Sequence, residues 1–165
     1  MPDKKPKSKT KPKSIKRWSL YPTLHNDVTQ LLQENNLAFE FHNDDNDNNY
    51  IRDYDTNIMG RFICRNRACS ANGWGSKKIP VTIRMYDGQR YNARVYHQGC
   101  NKCKTLSRPK LDDSYAERVA YRIKVWCGIQ MEKPAYSPNN NNKPHKSDLC
   151  EGCKAGHCKE GLISN

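Results

Sequence analysis

Seven of the eight cysteines fall into three groups whose spacing is typical of metal ligands. Zinc lies about 2.3 Å from each coordinating sulfur, and a tight turn between two close cysteines lets both reach one tetrahedral ion. The pattern therefore predicts zinc binding. The groups are Cys64-x4-Cys69, Cys100-x2-Cys103 and Cys150-x2-Cys153-x4-Cys158.

The first two groups flank two segments with strand periodicity, in the order pair, strand, strand, pair. This is the layout of a zinc ribbon, in which the strands carry two ligand-bearing turns to opposite sides of one ion. We therefore predict one site with four thiolate ligands, formed by Cys64, Cys69, Cys100 and Cys103.

The third group has three thiols and needs a fourth ligand. His145, five residues before Cys150, supplies one and gives a compact site of three thiolates and one imidazole. His157 is the alternative, although an adjacent His and Cys rarely both reach one ion. We favour His145 because of its spacing. His97 is a further candidate, but it lies on the predicted inner face of a strand.

Other uses of the thiols fit less well. Disulfides need an oxidising compartment, and the N-terminal sequence has no apolar region of a secretory signal. A catalytic zinc keeps one position open for water, whereas both predicted sites are full. We therefore expect two structural Zn²⁺ ions and no enzymatic activity. Cys127 lies on an apolar helical stripe and is expected to be a buried hydrophobic residue.

The strongest strand signal is a hairpin between the first two cysteine pairs. Ile79, Val81, Ile83 and Met85 alternate along one strand, and Tyr91, Ala93, Val95 and His97 alternate along the next. A two-residue Asp87-Gly88 loop would mix the two faces, and a one-residue slip turns a buried face to solvent. We therefore predict a longer loop, residues 87–89, that pairs Met85 with Tyr91.

The opposite face of this hairpin carries arginine and tyrosine side chains. Interleaved charges and aromatic rings can bind single-stranded nucleic acid by phosphate contact and base stacking, and a solvated sheet face is the alternative. With the neighbouring lysines, the candidate nucleic-acid residues are Lys77, Lys78, Arg84, Tyr86, Arg90, Arg94 and Tyr96.

The remaining elements are shorter. Helical spacing predicts a helix over about residues 22–35, and alternation predicts strands over 37–41 and 58–64. A second helix follows Asp112-Asp113-Ser114 and ends at Gly128. Composition predicts loops at 43–50 and 134–144.

The basic charge is concentrated in two segments. Residues 1–17 hold eight Lys/Arg against one Asp, and residues 60–110 hold twelve against one, within a total net charge of +12. The N-terminal segment cannot bury apolar surface and is predicted to be a disordered arm. It is an import signal, a nucleic-acid-binding tail or a solubilising tail.

The composition excludes several classes of protein. Only 35% of the 165 residues are apolar, and the mean hydropathy is −1.03, so no large core can form. No stretch approaches the roughly 18–20 apolar residues of a membrane span. We predict an α+β fold: a small zinc-stabilised antiparallel sheet, like a zinc ribbon, with two helices and a C-terminal zinc site. The domain would cover 18–160, with a tail at 161–165.

Five motifs resemble the 3CxxC-type zinc-binding domain, a family that includes receptor-transporting and zygote arrest proteins. Over Trp18–Cys158 the sequence is similar to the fungal branch, although Cys64-x4-Cys69 stands where the family has Cys-x2-Cys. The resemblance implies zinc binding, and the single histidine of the family pattern matches His145. The motifs are Tyr54–Phe62, Trp74–Lys78, Arg90–Tyr96 with the Cys100 pair, Ser114–Tyr121 and His145–Cys158.

Two functions follow as hypotheses. The similarity to zygote arrest proteins implies RNA binding, and the basic segment 60–110 favours RNA or single-stranded nucleic acid as the partner. The similarity to receptor-transporting proteins implies a soluble interaction or trafficking adaptor, in which the basic segment contacts an acidic protein. Either function would be intracellular, in the nucleus or the cytoplasm.

Overall fold

Three strands in antiparallel order form the centre of the fold. The computed structural model describes residues 16–132 and 146–158. The central strands are β3 (Tyr50–Phe62), β4 (Trp74–Tyr86) and β5 (Arg90–Tyr96). Five two-residue strands accompany them: β1 (Trp18–Ser19), β2 (Glu40–Phe41), β6 (Gln98–Gly99), β7 (Leu106–Ser107) and β8 (Lys110–Leu111).

The described residues form two sheets. The larger sheet has the order β1-β5-β4-β3-β8, and β2 adds to β5 in parallel. The smaller sheet pairs β6 with β7. The α+β prediction, with its antiparallel zinc-ribbon-like sheet, is confirmed.

The structure confirms the predicted hairpin register. Met85 pairs with Tyr91, Ile83 with Ala93 and Val81 with Val95, and residues 87–89 form the loop. Gly88 and Gln89 both have positive φ values, of 80° and 55°. The three-residue loop keeps the two alternating runs, Ile79 to Met85 and Tyr91 to Val95, on one face, which we call the inner face.

Two helices cover the inner face. They are α1 (His25–Gln33), preceded by a 3₁₀ turn over Pro22–Leu24, and α2 (Ser114–Trp126). Val28 and Leu32 of α1 and Val119 and Ile123 of α2 are buried in the same core as the inner-face residues. Among the described residues no helix has the length and apolar character needed to cross a membrane.

Several boundaries differ from those predicted. Strand β3 begins at Tyr50, eight residues before the predicted start, and the predicted strand 37–41 pairs only at Glu40–Phe41. A third helix, α3 (Glu151–Lys154), lies within the last cysteine group. Cys127 is exposed at the end of α2, so the prediction that it is buried is wrong. Cys127 still donates its backbone N–H to Ile123 O, but it lies one residue past the end of the helix.

Truncating one inner-face residue tests the core. Ile83 is fully buried, so Ile83→Ala should lower the free energy of unfolding by about 2–5 kcal/mol. Ile51, which is 53% exposed, gives the matched control, and Ile51→Ala should change stability by no more than about 0.5 kcal/mol. Urea denaturation of the zinc-loaded proteins measures both, and equal effects would contradict this core.

Candidate metal centres and basic surfaces

The first cysteine centre forms where two connecting segments meet. Cys64 and Cys69 lie in the segment between β3 and β4, and Cys100 and Cys103 lie between β6 and β7. Backbone hydrogen bonds shape both turns: Cys69 N donates to Asn66 O, and Lys104 N donates to Cys100 O. The structure therefore brings the four predicted thiols together.

Distances between sulfur atoms identify the kind of site. Cys64 Sγ lies 3.5 Å from Cys103 Sγ, Cys69 Sγ lies 3.8 Å from Cys100 Sγ, and all four sulfurs lie within 4.8 Å of one another. A tetrahedral zinc with bonds of about 2.3 Å separates its sulfur ligands by about 3.8 Å. A disulfide would need about 2.05 Å. The four thiols therefore fit one zinc ion.

Local hydrogen bonds favour the thiolate form of Cys100 and Cys103, the second pair of this centre. Hydrogen bonding with the side chain and the backbone of Thr105 lowers the pKa of Cys103 to about 6. Hydrogen bonding to the backbone of Cys103 lowers the pKa of Cys100. Because metals bind the thiolate, these donors prepare the pair for coordination.

The second cysteine centre lies on the C-terminal segment. The sulfurs of Cys150, Cys153 and Cys158 lie within 4.8 Å of one another, and Cys150 and Cys158 are buried. The neighbouring Cys158 thiol and burial together raise the pKa of Cys150. Three crowded thiols resist ionisation unless a cation is present, so this group also suits Zn²⁺.

The fourth ligand of this centre is still a prediction, because His145 lies outside the described residues. His157, the alternative, is described, but its ring is not part of the group of close ligand atoms. Its Nδ1 lies 2.8 Å from Asp55 Oδ2, and its ring stacks on Tyr96. His97, the other candidate, is buried and lies with Nε2 2.7 Å from Ser19 Oγ.

The C-terminal centre is held closely against the main sheet. The backbone of Cys150 forms an isolated antiparallel β-bridge with Gln98, and Glu151 N donates to His97 O. A Cβ atom on Gly152 would lie 2.4 Å from Cγ of Pro80. The Cys-Glu-Gly-Cys sequence therefore needs glycine at its third position, because the turn packs directly on β4.

The predicted nucleic-acid face is largely covered. Of its seven residues, Lys77 is exposed and Lys78 and Arg90 are half-buried. Arg84, Tyr86, Arg94 and Tyr96 are at most 6% exposed. We call this surface the outer face. Because most of its side chains are covered, we correct the interpretation that it is freely accessible to a ligand.

The cover over the outer face is an acidic loop, residues 43–49. Asp47 lies 3.0 Å from Arg84 and 3.2 Å from Arg94, and Asp45 lies 2.7 Å from Arg94. The hydrogen bond from Arg84 and the charge of Arg94 lower the pKa of Asp47. The segment is a loop, as predicted, and most of its residues are exposed. Its ion pairs with the sheet were not predicted from composition.

A second basic surface was missed from the sequence as a distinct site. Five exposed cations lie beside or between the ligands of the first centre, and the connecting segments 63–73 and 100–105 contain no acidic residue. Three of the five lie between paired cysteines and the other two lie within three residues of one. This placement was the available signal, because residues next to ligands of one ion must lie close together. We call this set the zinc-end surface: Arg61, Arg65, Arg67, Lys102 and Lys104.

Comparison with known proteins gives one match. The family model Zn_ribbon_3CxxC, described as a zinc-binding domain, matches residues 57–156, which is more than half of the chain. No curated protein and no solved structure matches. The matched region contains all four thiols of the first centre and Cys150 and Cys153 of the second.

Zinc counting tests both centres. Cys100→Ser should remove one of two zinc ions, because it takes away a buried thiolate ligand. Cys127→Ser is the control and should keep both, since Cys127 belongs to neither centre. Native mass spectrometry measures the bound metal. Retention of two ions by Cys100→Ser would contradict the assignment.

A glycine substitution tests the packing of the second centre. Gly152→Ala should lower the thermal stability and the zinc occupancy of this centre, because its Cβ would collide with Pro80. Gly75→Ala is the control, since no atom lies within 4 Å of the added Cβ there. A thermal melt and a zinc count measure the effects, and Pro80→Gly should partly restore the Gly152→Ala protein. Equal behaviour of the two alanine variants would show that the contact is unimportant.

Proposed function

Because the chain belongs to the 3CxxC-type zinc-ribbon family of zinc-binding domains, we propose that it is a structural-zinc module that binds RNA or other single-stranded nucleic acid. The zinc ions hold the binding surface in shape and take no part in a reaction. Four thiolates complete the first centre, so it has no open position for a water or a substrate. With His145, the second centre would be complete as well. We therefore propose a protein without enzymatic activity.

The zinc-end surface is the observation that carries this proposal. Arg65 and Arg67 lie between the two ligands of the first cysteine pair, and Lys102 and Lys104 flank Cys103. All four side chains are exposed. The segments that carry these cations, 63–73 and 100–105, contain no carboxylate to oppose their charge. Such a surface attracts phosphate groups, and binding releases the counterions of the nucleic acid.

Apolar groups beside these cations favour a single strand as the ligand. Ile63, next to Cys64, is 70% exposed, and the half-buried ring of Trp74 stacks on Phe62 at 5.1 Å between centroids. Unpaired bases can contact such apolar and aromatic surfaces, whereas bases within a duplex cannot. The proposal therefore combines phosphate contacts by the zinc-end cations with base contacts near Ile63 and Trp74.

A protein-interaction adaptor is the second candidate. The exposed Ile63, with Arg61 and Arg65 two residues away on either side, would also suit an acidic protein with an apolar anchor residue. The two candidates differ in the bound partner. An acidic protein that co-purifies with the zinc-loaded chain, without nucleic acid, would favour the adaptor. Either function would place the protein in the nucleus or cytoplasm.

Binding to fluorescein-labelled oligouridylate (U20) tests the nucleic-acid proposal. If both arginines contact phosphates, the double variant Arg65→Gln with Arg67→Gln should lower the slope of the log binding constant against log salt concentration by about 1.4. The affinity at 0.1 M salt should then fall by roughly 25-fold. Fluorescence anisotropy at several salt concentrations measures both values.

The control removes the same charge elsewhere. Arg52→Gln with Arg108→Gln changes two exposed arginines outside the zinc-bearing segments and should have a much smaller effect. Zinc content is checked for each variant. The nucleic-acid proposal fails if the zinc-loaded parent shows no U20 binding at low salt.

A further inference from the structure

The outer face holds two buried arginines against aromatic rings. The guanidinium of Arg94 lies 4.3 Å from the ring centroid of Trp18, and that of Arg84 lies 4.9 Å from the ring of Tyr50. Their side chains are only 7% and 6% exposed. Buried charges need close anionic partners, because removing them from water is costly.

Three consecutive residues of the acidic loop provide these partners. Arg94 donates to Asp45 Oδ1 from Nε at 3.1 Å and from Nη2 at 2.7 Å. Arg84 donates to Asn46 O at 3.1 Å and to Asp47 Oδ1 at 3.0 Å. The loop has no regular secondary structure, so its attachment depends on these contacts and on two further hydrogen bonds. Trp18 Nε1 donates to Asp45 Oδ2 at 2.8 Å, and Asn92 Nδ2 donates to Asp44 O at 3.3 Å.

Two details indicate that the loop is an exchangeable occupant. The side chain of Asp47 is 74% exposed, so its ion pairs can be reached from solvent. The Nε of Arg84 is buried and has no hydrogen-bond partner among the described residues. The loop therefore satisfies the Arg84 guanidinium incompletely, because it leaves at least this N–H without a partner.

The donor set suits phosphates as well as carboxylates. A guanidinium binds both anions with the same planar fork. Arginines beside aromatic rings are also the combination that binds single strands, by phosphate contact and base stacking. Tyr50 is already exposed, and Trp18, which donates its indole N–H to Asp45, would be released by displacement of the loop.

We propose that the outer face is a second binding site for the phosphates of single-stranded nucleic acid, and that the acidic loop occupies it in the free protein. Binding exchanges loop carboxylates for ligand phosphates, so the arginines are never left unpaired. A tethered loop competes at an effective concentration in the millimolar range, which hides the site from weak ligands. The ligand class rests on the proposed function, but the residues are different ones.

The test removes the charge of the loop and keeps its shape. Asp45→Asn with Asp47→Asn should bind U20 at least tenfold more tightly than the parent at 0.1 M salt, with a slope steeper by about 1.4 for two new contacts. The control, Asp44→Asn with Asp87→Asn, adds the same charge, but these exposed carboxylates are not bonded to Arg84 or Arg94. It should show a clearly smaller gain.

The outcomes separate this inference from the proposed function. Equal binding by the Asp45/Asp47 variant and its control overturns the second site. Tighter binding by that variant, when the parent does not bind, supports the second site although the zinc-end proposal fails.

A measurement on the parent protein decides the matter if the variant loses zinc or unfolds. The side-chain Nε–Hε NMR signals of Arg84 and Arg94 should shift with excess U20, since phosphates replace the loop carboxylates beside them. Unchanged signals overturn the proposal.

Discussion

The convergence of thiolates on shared metal ions is the constraint on which the rest of the structure depends. The four sulfurs of the first centre come from two segments separated by the whole β4–β5 hairpin, with pairs 3.5 and 3.8 Å apart. A chain with 35% apolar residues buries only a modest core, and metal binding supplies folding energy that the core lacks. The ion thus fixes the end of the sheet where the exposed cations lie.

Local patterns were sufficient to predict much of the fold. The hairpin register followed from two runs of alternating residues, since only an odd loop keeps Met85 and Tyr91 on one face. The thiol sets followed from spacing, because ligands of one ion must be near one another. Strand β3 was only partly predicted, since charged residues such as Arg52 and Asp53 interrupt the alternation at its N-terminal end.

Contacts between distant residues could not be predicted in the same way. Asp45 and Arg94 are 49 residues apart, and Asp47 and Arg84 are 37 apart. Nothing in the sequence around the acidic loop distinguishes a carboxylate that pairs with a buried arginine from one that faces water. The accessible basic surface therefore lies at the zinc end of the sheet, whereas the arginines with the clearest strand periodicity are covered.

The β-bridge between Gln98 and Cys150 affects how the two metal ions bind. Gln98 is two residues from Cys100, so one short stretch of backbone borders both centres. Filling either centre orders this stretch and lowers the entropic cost of forming the other. We therefore expect each ion to bind more tightly when the other is in place, although either centre can still fill alone.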